Sequence, residues 1–261
     1  MKLPSLIGMV HLRPLPGSPA YRDDFREVMA AASDDSQTLA EAGFPAVMVE
    51  NFGDAPFFAE AVPAVTVAAM TMVVAAVADA AGVPVGLNVL RNDALAALSV
   101  AAVTGAGFVR VNVLTGTMYT DQGLISGRAA EVARLRRSLC PQVGVLADVF
   151  VKHASPPFGL TIEQAGADTW ERGGADALIV SGAGTGAEPD LDDARRLRAA
   201  VGGAMILVGS GAAADNIARL AEVADGAIIG TSLKEDGRVT GPVDPRRAAA
   251  TVAAAARVGW I

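Results

Sequence analysis

A single α/β domain, a closed (β/α)8 TIM barrel of the phosphate-binding type, is the fold this sequence predicts, and three observations predict it. Short runs rich in Val, Ile and Leu alternate with Ala-rich stretches along the whole chain, as a parallel sheet covered by helices requires. Eight such runs favour closure over an open doubly wound sheet, which has about five to seven strands. Each run carries a polar residue or a glycine at or near its end, as expected where all the strand carboxyl ends converge on one ligand-binding rim.

The runs lie at residues 6–11, 46–51, 85–88, 108–113, 143–151, 176–181, 205–209 and 227–230, and helical stretches include 33–42, 93–104, 127–139, 162–172, 191–201 and 215–223. Residues 61–81 resemble a membrane span, but their Ala and Thr content, Pro63, Asp79 and the adjoining Glu60 favour a buried barrel helix. The opening residues lack the basic region and cleavage site of a secretory signal and read as the first strand. No linker-like tract divides residues 1–261, so one domain is the economical reading.

With 52% hydrophobic and 19% charged residues, the chain has the material for a large core and no sign of disorder. A net charge of −7 argues against a nucleic-acid partner, which would need clustered Lys and Arg. One cysteine, Cys140, excludes an internal disulfide framework. The expected setting is cytoplasmic, with no transmembrane segment, room for peripheral membrane association, and a homo-oligomer as the default for such barrels.

Alternation along the strands sorts side chains by face. If the valines of 109, 111 and 113 face the helices, Arg110 and Asn112 point into the barrel. The same logic turns Glu50 and Asn88 inward, and places Asp148 and Lys152 on the inner face with Leu146 and Phe150. A buried Arg110 needs anionic partners, and Glu50 and Asp148 are the candidates. An ion-pair network that merely plugs the barrel is the plain alternative to a site.

Two loops suit an anion. Gly209-Ser210-Gly211-Ala212 follows the seventh run, and Gly230-Thr231-Ser232-Leu233-Lys234 follows the eighth. Glycines let backbone N–H groups approach an anion, a helix start adds donors, and Lys234 adds charge. Tight turns would use the same glycines. A third loop, 181–189, carries Gly182, Gly184 and Gly186 and is expected to wrap a second part of a ligand. It fits neither a dinucleotide fingerprint nor a P-loop.

For chemistry, His11 and His153 are the only histidines and both fall at strand ends. Together with Glu50, Asp148 and Lys152 they form a set suited to acid, base and electrostatic roles. We assign His11, Glu50, Asp148 and Lys152 as catalytic, and Asn88, Arg110, Asn112, His153, Gly182 and Gly184 as substrate-binding. No organic cofactor is predicted. A divalent metal on His11, Glu50, Asp148 and His153 is an alternative, without HxH or HExxH spacing to support it. Residues 12–21, stiffened by three prolines, and the Phe-rich residues 52–58 are candidate covers for the mouth.

Four segments carry a resemblance. Ile7-Gly8-Met9-Val10-His11-Leu12 with Pro14-Leu15-Pro16-Gly17-Ser18-Pro19 resembles the opening signature of the BtpA/SgcQ family. Glu50–Phe57, Asp148–Ala154 and Asp225–Lys234 are similar to its later motifs, in the same order. The resemblance implies a phosphate-binding barrel. It also implies one of the family's associations: photosystem I accumulation at the cyanobacterial thylakoid, sugar metabolism, or nucleotide hydrolysis, the last at odds with the missing P-loop. Two functions follow as expectations. One is an isomerase- or lyase-type enzyme acting on a sugar phosphate or similar phosphorylated metabolite. The other is a non-enzymatic photosystem I assembly factor.

Overall fold

The computed structural model describes residues 3–22, 24–182, 184 and 190–261. Among them, eleven strands run in chain order: β1 (Leu6–His11), β2 (Val47–Glu50), β3 (Val85–Asn88), β4 (Phe108–Val111), β5 (Thr117–Thr120), β6 (Gly123–Ser126), β7 (Gly144–Val149), β8 (Ala154–Ser155), β9 (Ala177–Ser181), β10 (Ile206–Gly209) and β11 (Gly226–Ile229). All but β5, β6 and β8 pair in parallel to close one barrel, with β11 returning to β1 so that Leu6 stands beside Ala227. The helices α1 (Phe25–Glu41), α2 (Ala64–Ala81), α3 (Ala94–Thr104), α4 (Ala129–Leu139), α5 (Ile162–Ala167), α6 (Leu191–Ala200), α7 (Ile217–Leu220) and α8 (Pro245–Arg257) follow the strands around it.

Local signals set several of these boundaries. Asp24, Asp93 and Asp244 accept hydrogen bonds from the first-turn N–H groups of α1, α3 and α8, and Thr161 and Gln164 form a reciprocal capping box at α5. Pro245 supplies a fixed φ in the first turn of α8.

Strand alternation separates two cores. Ile7, Met9, Met48, Phe108, Leu146, Ile179, Leu207 and Ile228 fill the barrel, while Val47, Val49, Val109, Val145, Val208 and Ile229 pack outward beneath the helices. Two positions beyond the inward apolar residue, β1, β2, β4, β7 and β9 carry His11, Glu50, Arg110, Asp148 and Ser181, while β10 and β11 are followed there by Gly209 and Gly230. The interior is therefore apolar at its base and polar at the carboxyl rim.

The structure revises several boundaries. The first helix starts at Phe25, eight positions before the expected 33, because Asp24 caps it. The expected helix 215–223 shrinks to four residues. The stretch 162–172 passes from α5 into a π-helical turn at Asp168–Arg172. Strands β5 and β6 form a hairpin that pairs with β8, a small antiparallel sheet that strand alternation in the barrel gave no reason to expect. Phe150 leaves the inner face: its φ of 58° turns the chain after β7, and its ring packs with the Val113–Met118–Ile125 cluster.

α2 is long and apolar enough to cross a membrane by length and composition. In the fold it lies in the helical layer, with Met70, Val73, Val74 and Val77 buried.

Lys234 is held outside the barrel wall. It is fully buried, its ammonium bonds Asp35 of α1, and the other Asp35 oxygen accepts the Val243 N–H at 2.7 Å. Removing one member of such a pair strands the other charge, at a cost of roughly 3–5 kcal/mol. Asp35→Ala is therefore expected to lower the melting temperature by roughly 10 °C or more, read by calorimetry. A shift below about 2 °C would show that the pair contributes nothing net.

Candidate functional site

The floor of the site is built from the inward residues of β4 and β7. Arg110 donates to Asp148 through Nε (2.9 Å) and Nη2 (2.7 Å), and Asn112 Nδ2 and Ser181 Oγ donate to the same carboxylate at 3.0 and 3.1 Å. Asn88 in turn donates to Asn112 Oδ1 and to the Arg110 carbonyl, both at 3.1 Å. Burial works against the Arg110 charge, but the Asp148 charge and its hydrogen bonds outweigh burial and raise the guanidinium above its ordinary value. The arrangement corrects the expected role of Asp148. Four donors occupy its oxygens, and it stands beneath the cavity as the anchor of Arg110, without a free lone pair aimed at a ligand.

Above this floor lies a cavity of about 200 Å³. His11, Glu50, Arg110 and Lys152 line it together with residues 210–213 and 230–232. The two anion loops and three of the four residues assigned to chemistry thus face one space.

His11 Nε2 stands 3.8 Å from Glu50 Oε1, and Nδ1 is buried with no hydrogen-bond partner. Burial first, then the positive charges of Lys234, Lys152 and Arg110, lower its pKa well below the usual 6.5, so the ring is neutral. The ring needs Gly230: a Cβ there would lie 2.7 Å from His11 Cε1. Gly209 makes the same kind of room, since its Cβ would fall 2.6 Å from Ile179 and 3.3 Å from Arg110 Nη2.

Glu50 is buried and accepts no hydrogen bond among the described residues. Lys152 Nζ likewise has no hydrogen-bond or ion-pair partner among them. Burial lowers its pKa, Arg110 and Arg91 push the same way, and Glu50 and Asp148 oppose them. Its backbone is fixed by Arg91 Nη2, which donates to the Lys152 carbonyl at 2.6 Å. Phe150 and His153 on either side take left-handed φ values of 58° and 56°, an unusual backbone that redirects the loop over the mouth.

In the anion loops, Ser210 and Gly211 both have positive φ, 82° and 70°. Asn216 accepts from the Ala213 N–H at 2.9 Å and donates to the Gly211 carbonyl at 2.8 Å, bracing that turn. Ser232 Oγ donates to the Ala212 carbonyl at 2.7 Å and ties the two loops together. The backbone N–H groups of Gly211, Ala212, Thr231 and Ser232 have no partner among the described residues. Three expectations change. Lys234 is engaged by Asp35 and does not line the cavity, Ser232 uses its hydroxyl to join the loops, and the following helix is too short to add much dipole. Backbone N–H groups and the Ser210 and Thr231 hydroxyls remain as donors, beside the positive Arg110.

A second cavity of about 360 Å³ shares Glu50 and Lys152 with the first and extends past Phe52, Ala55, Phe57, Leu90 and Arg91 to Asp121, Gln122 and His153. His153 is exposed, and a Cβ at Gly184 would lie 3.5 Å from its Cε1; Gly182 is buried and lines neither cavity. Residues 185–189 lie outside the described residues, and with them most of the loop expected to wrap a ligand. The proline-rich segment is tied down: Leu15 is buried, its N–H donates to Asp54 at 2.8 Å, and Gly53 N–H donates to the Leu12 carbonyl at 3.1 Å. Among the described residues no three His, Cys, Asp or Glu side chains gather to hold a metal. Sequence reasoning missed Arg91, Asp121 and Gln122. The polar run Arg91-Asn92-Asp93 after the third strand is a usable signal, whereas Asp121 and Gln122 reach the site only through the β5–β6 hairpin, which barrel periodicity does not encode.

A model of the BtpA family matches residues 2–257. An uncharacterized protein of Thermococcus kodakarensis is 51% identical, covering 93% of this chain and 92% of its own. The photosystem I biogenesis protein BtpA of Synechocystis is 45% identical, covering 96% and 88%. In shape the chain is similar to tryptophan synthase of Mycobacterium tuberculosis, with a TM-score of 0.64 and 17% identity over 96% of this chain and 92% of that one, a likeness of fold alone.

The neutral His11 has a consequence for stability. Because folding depresses its pKa, the unfolded chain binds the proton more readily, and stability falls as pH drops below about 6.5. In urea titrations between pH 5 and 8, His11→Gln should show a shallower acid-side decline than the parent. An unchanged slope would remove His11 from the linkage.

Proposed function

We propose that this chain, which belongs to the BtpA family, is an enzyme that moves a proton on a small phosphorylated metabolite, in an isomerase- or lyase-type reaction. One observation carries the reading: residues of two linked loops whose backbone N–H groups have no partner among the described residues line the same cavity as the ionisable groups His11, Glu50 and Lys152.

The phosphate would sit against the N–H groups of residues 211, 212, 231 and 232, where the loops after the last two strands of such barrels commonly bind it. Arg110, held cationic by Asp148, adds a fixed positive field at the floor. Glu50, whose carboxylate accepts no hydrogen bond among the described residues, is the base that takes a proton from a carbon beside a carbonyl. Lys152 stabilises the oxyanion that forms as that C–H bond breaks. In an isomerisation Glu50 returns the proton to the neighbouring carbon. Neutral His11 relays the oxygen-bound proton through Nε2, giving a proton to the carbonyl oxygen and taking one from the neighbouring hydroxyl, so the ring ends as it began. In a lyase reaction the same carbanion instead expels a leaving group. The name of the cyanobacterial relative points to an assembly role for that protein, and a buried set of ionisable groups around a cavity is not something such a role requires.

Inorganic phosphate at a hundred times its dissociation constant should stabilise the protein by about 2.7 kcal/mol, a rise of roughly 5–10 °C in melting temperature. Gly211→Val, which forces a β-branched side chain onto a positive φ, should abolish that rise; a rise that persists would place the anion elsewhere. Glu50→Gln should keep the phosphate-induced rise and slow solvent-deuterium exchange into sugar phosphates by about 10²–10⁴-fold, read by mass spectrometry. Exchange at the parent rate would dismiss Glu50 as the base.

A further inference from the structure

The phosphate cavity alone would suit a short phosphorylated chain, yet Glu50 and Lys152 also open onto the larger second cavity. That space differs in chemistry. Phe52, Ala55, Phe57 and Leu90 give it an apolar side, and Asp121, Gln122 and His153 give it a polar rim.

The apolar side is held firmly. Asn51 Oδ1 accepts the Leu90 N–H at 2.7 Å, and Asn51 Nδ2 donates to Asp54 Oδ2 at 3.1 Å, so the segment carrying Phe52 is pinned to the segment carrying Leu90. Phe52 also stands against His11, with ring centroids 5.0 Å apart. The polar rim is tied to the Lys152 loop by strand pairing, Thr120 with Ala154 and Tyr119 with Ser155. Neither wall is a chance gap between loose loops.

We propose that this second chamber receives the other end of the substrate and that this end is a flat apolar ring. The substrate is then a phosphate monoester linked through a short chain to an aromatic or similarly planar group, with the linking carbons held at Glu50 and Lys152. The proposal rests on the phosphate reading above. A ring stacked among Phe52, Phe57 and Leu90 leaves water and gains the burial of a phenylalanine-sized surface, which is on the order of tenfold to a hundredfold in affinity. Linking it to an anchored phosphate makes its binding intramolecular.

Calorimetric titration of the full chain with inorganic phosphate, glycerol 3-phosphate and a ladder of phenylalkyl phosphates of increasing chain length tests this. The expected result is that one or two adjacent members of the ladder bind at least about tenfold more tightly than glycerol 3-phosphate. Phe57→Ser should erase the gain and Phe57→Leu keep most of it, with inorganic phosphate bound equally by both variants, which also shows that they fold. If phosphate and glycerol 3-phosphate bind but the ring adds nothing, or the gain survives Phe57→Ser, the chamber is not a ring site while the phosphate reading stands. If inorganic phosphate and every ester fail to bind, the phosphate reading falls and takes this inference with it.

Discussion

A guanidinium inside a barrel is tolerable only when its charge is met, and the pairing of Arg110 with Asp148 meets it with two parallel hydrogen bonds. Much of the interior above the apolar layers follows from that pair. Asn112 and Ser181 complete the carboxylate's hydrogen bonds, Asn88 orients Asn112, and Gly209 leaves the space in which the guanidinium lies. The result is a fully hydrogen-bonded floor that is neutral as a pair and presents the Arg110 guanidinium to the cavity. Positive charge at that depth also helps to keep His11 neutral and to lower the Lys152 pKa, so the same pair shapes the acid–base character of the groups above it.

The barrel was legible because its signal is periodic. A strand repeat of two residues puts Ile7 and Met9, then Met48, Phe108 and Leu146, on one side, and that repeat is visible without any structure. The inward direction of Glu50, Asn88, Arg110 and Asn112 follows from the same arithmetic. It fails at Phe150, where a positive φ breaks the repeat, and nothing in the residue type announces it. The last helix carries its own start signal, an Asp244 cap followed by Pro245.

The site was legible as a neighbourhood and less so as a set of partnerships. The glycine motifs and the strand ends bring the two loops and the rim residues together, and the need to neutralise a buried Arg110 points to Asp148 as a candidate partner, as the structure shows. Lys234 marks where such reasoning stops. A buried charge must be neutralised by something, and the partner of Lys234 lies 199 positions away. Such long-range pairings carry no local pattern. Asp35 in particular sits on a helix whose spacing reads as ordinary amphipathic packing.

The small antiparallel sheet supplies a wall that the barrel itself does not build. The hairpin joins the barrel between β4 and α4 and shares no backbone pairing with the eight-stranded sheet. Its tip brings Asp121 and Gln122 to the second chamber, away from the anion loops. Because the hairpin is hydrogen-bonded to β8 and not to the barrel strands, a residue exchanged at that tip changes what lines the second chamber without removing a barrel strand pairing. The layout separates one wall of the chamber from the strands that hold Arg110, Asp148 and Glu50 in place.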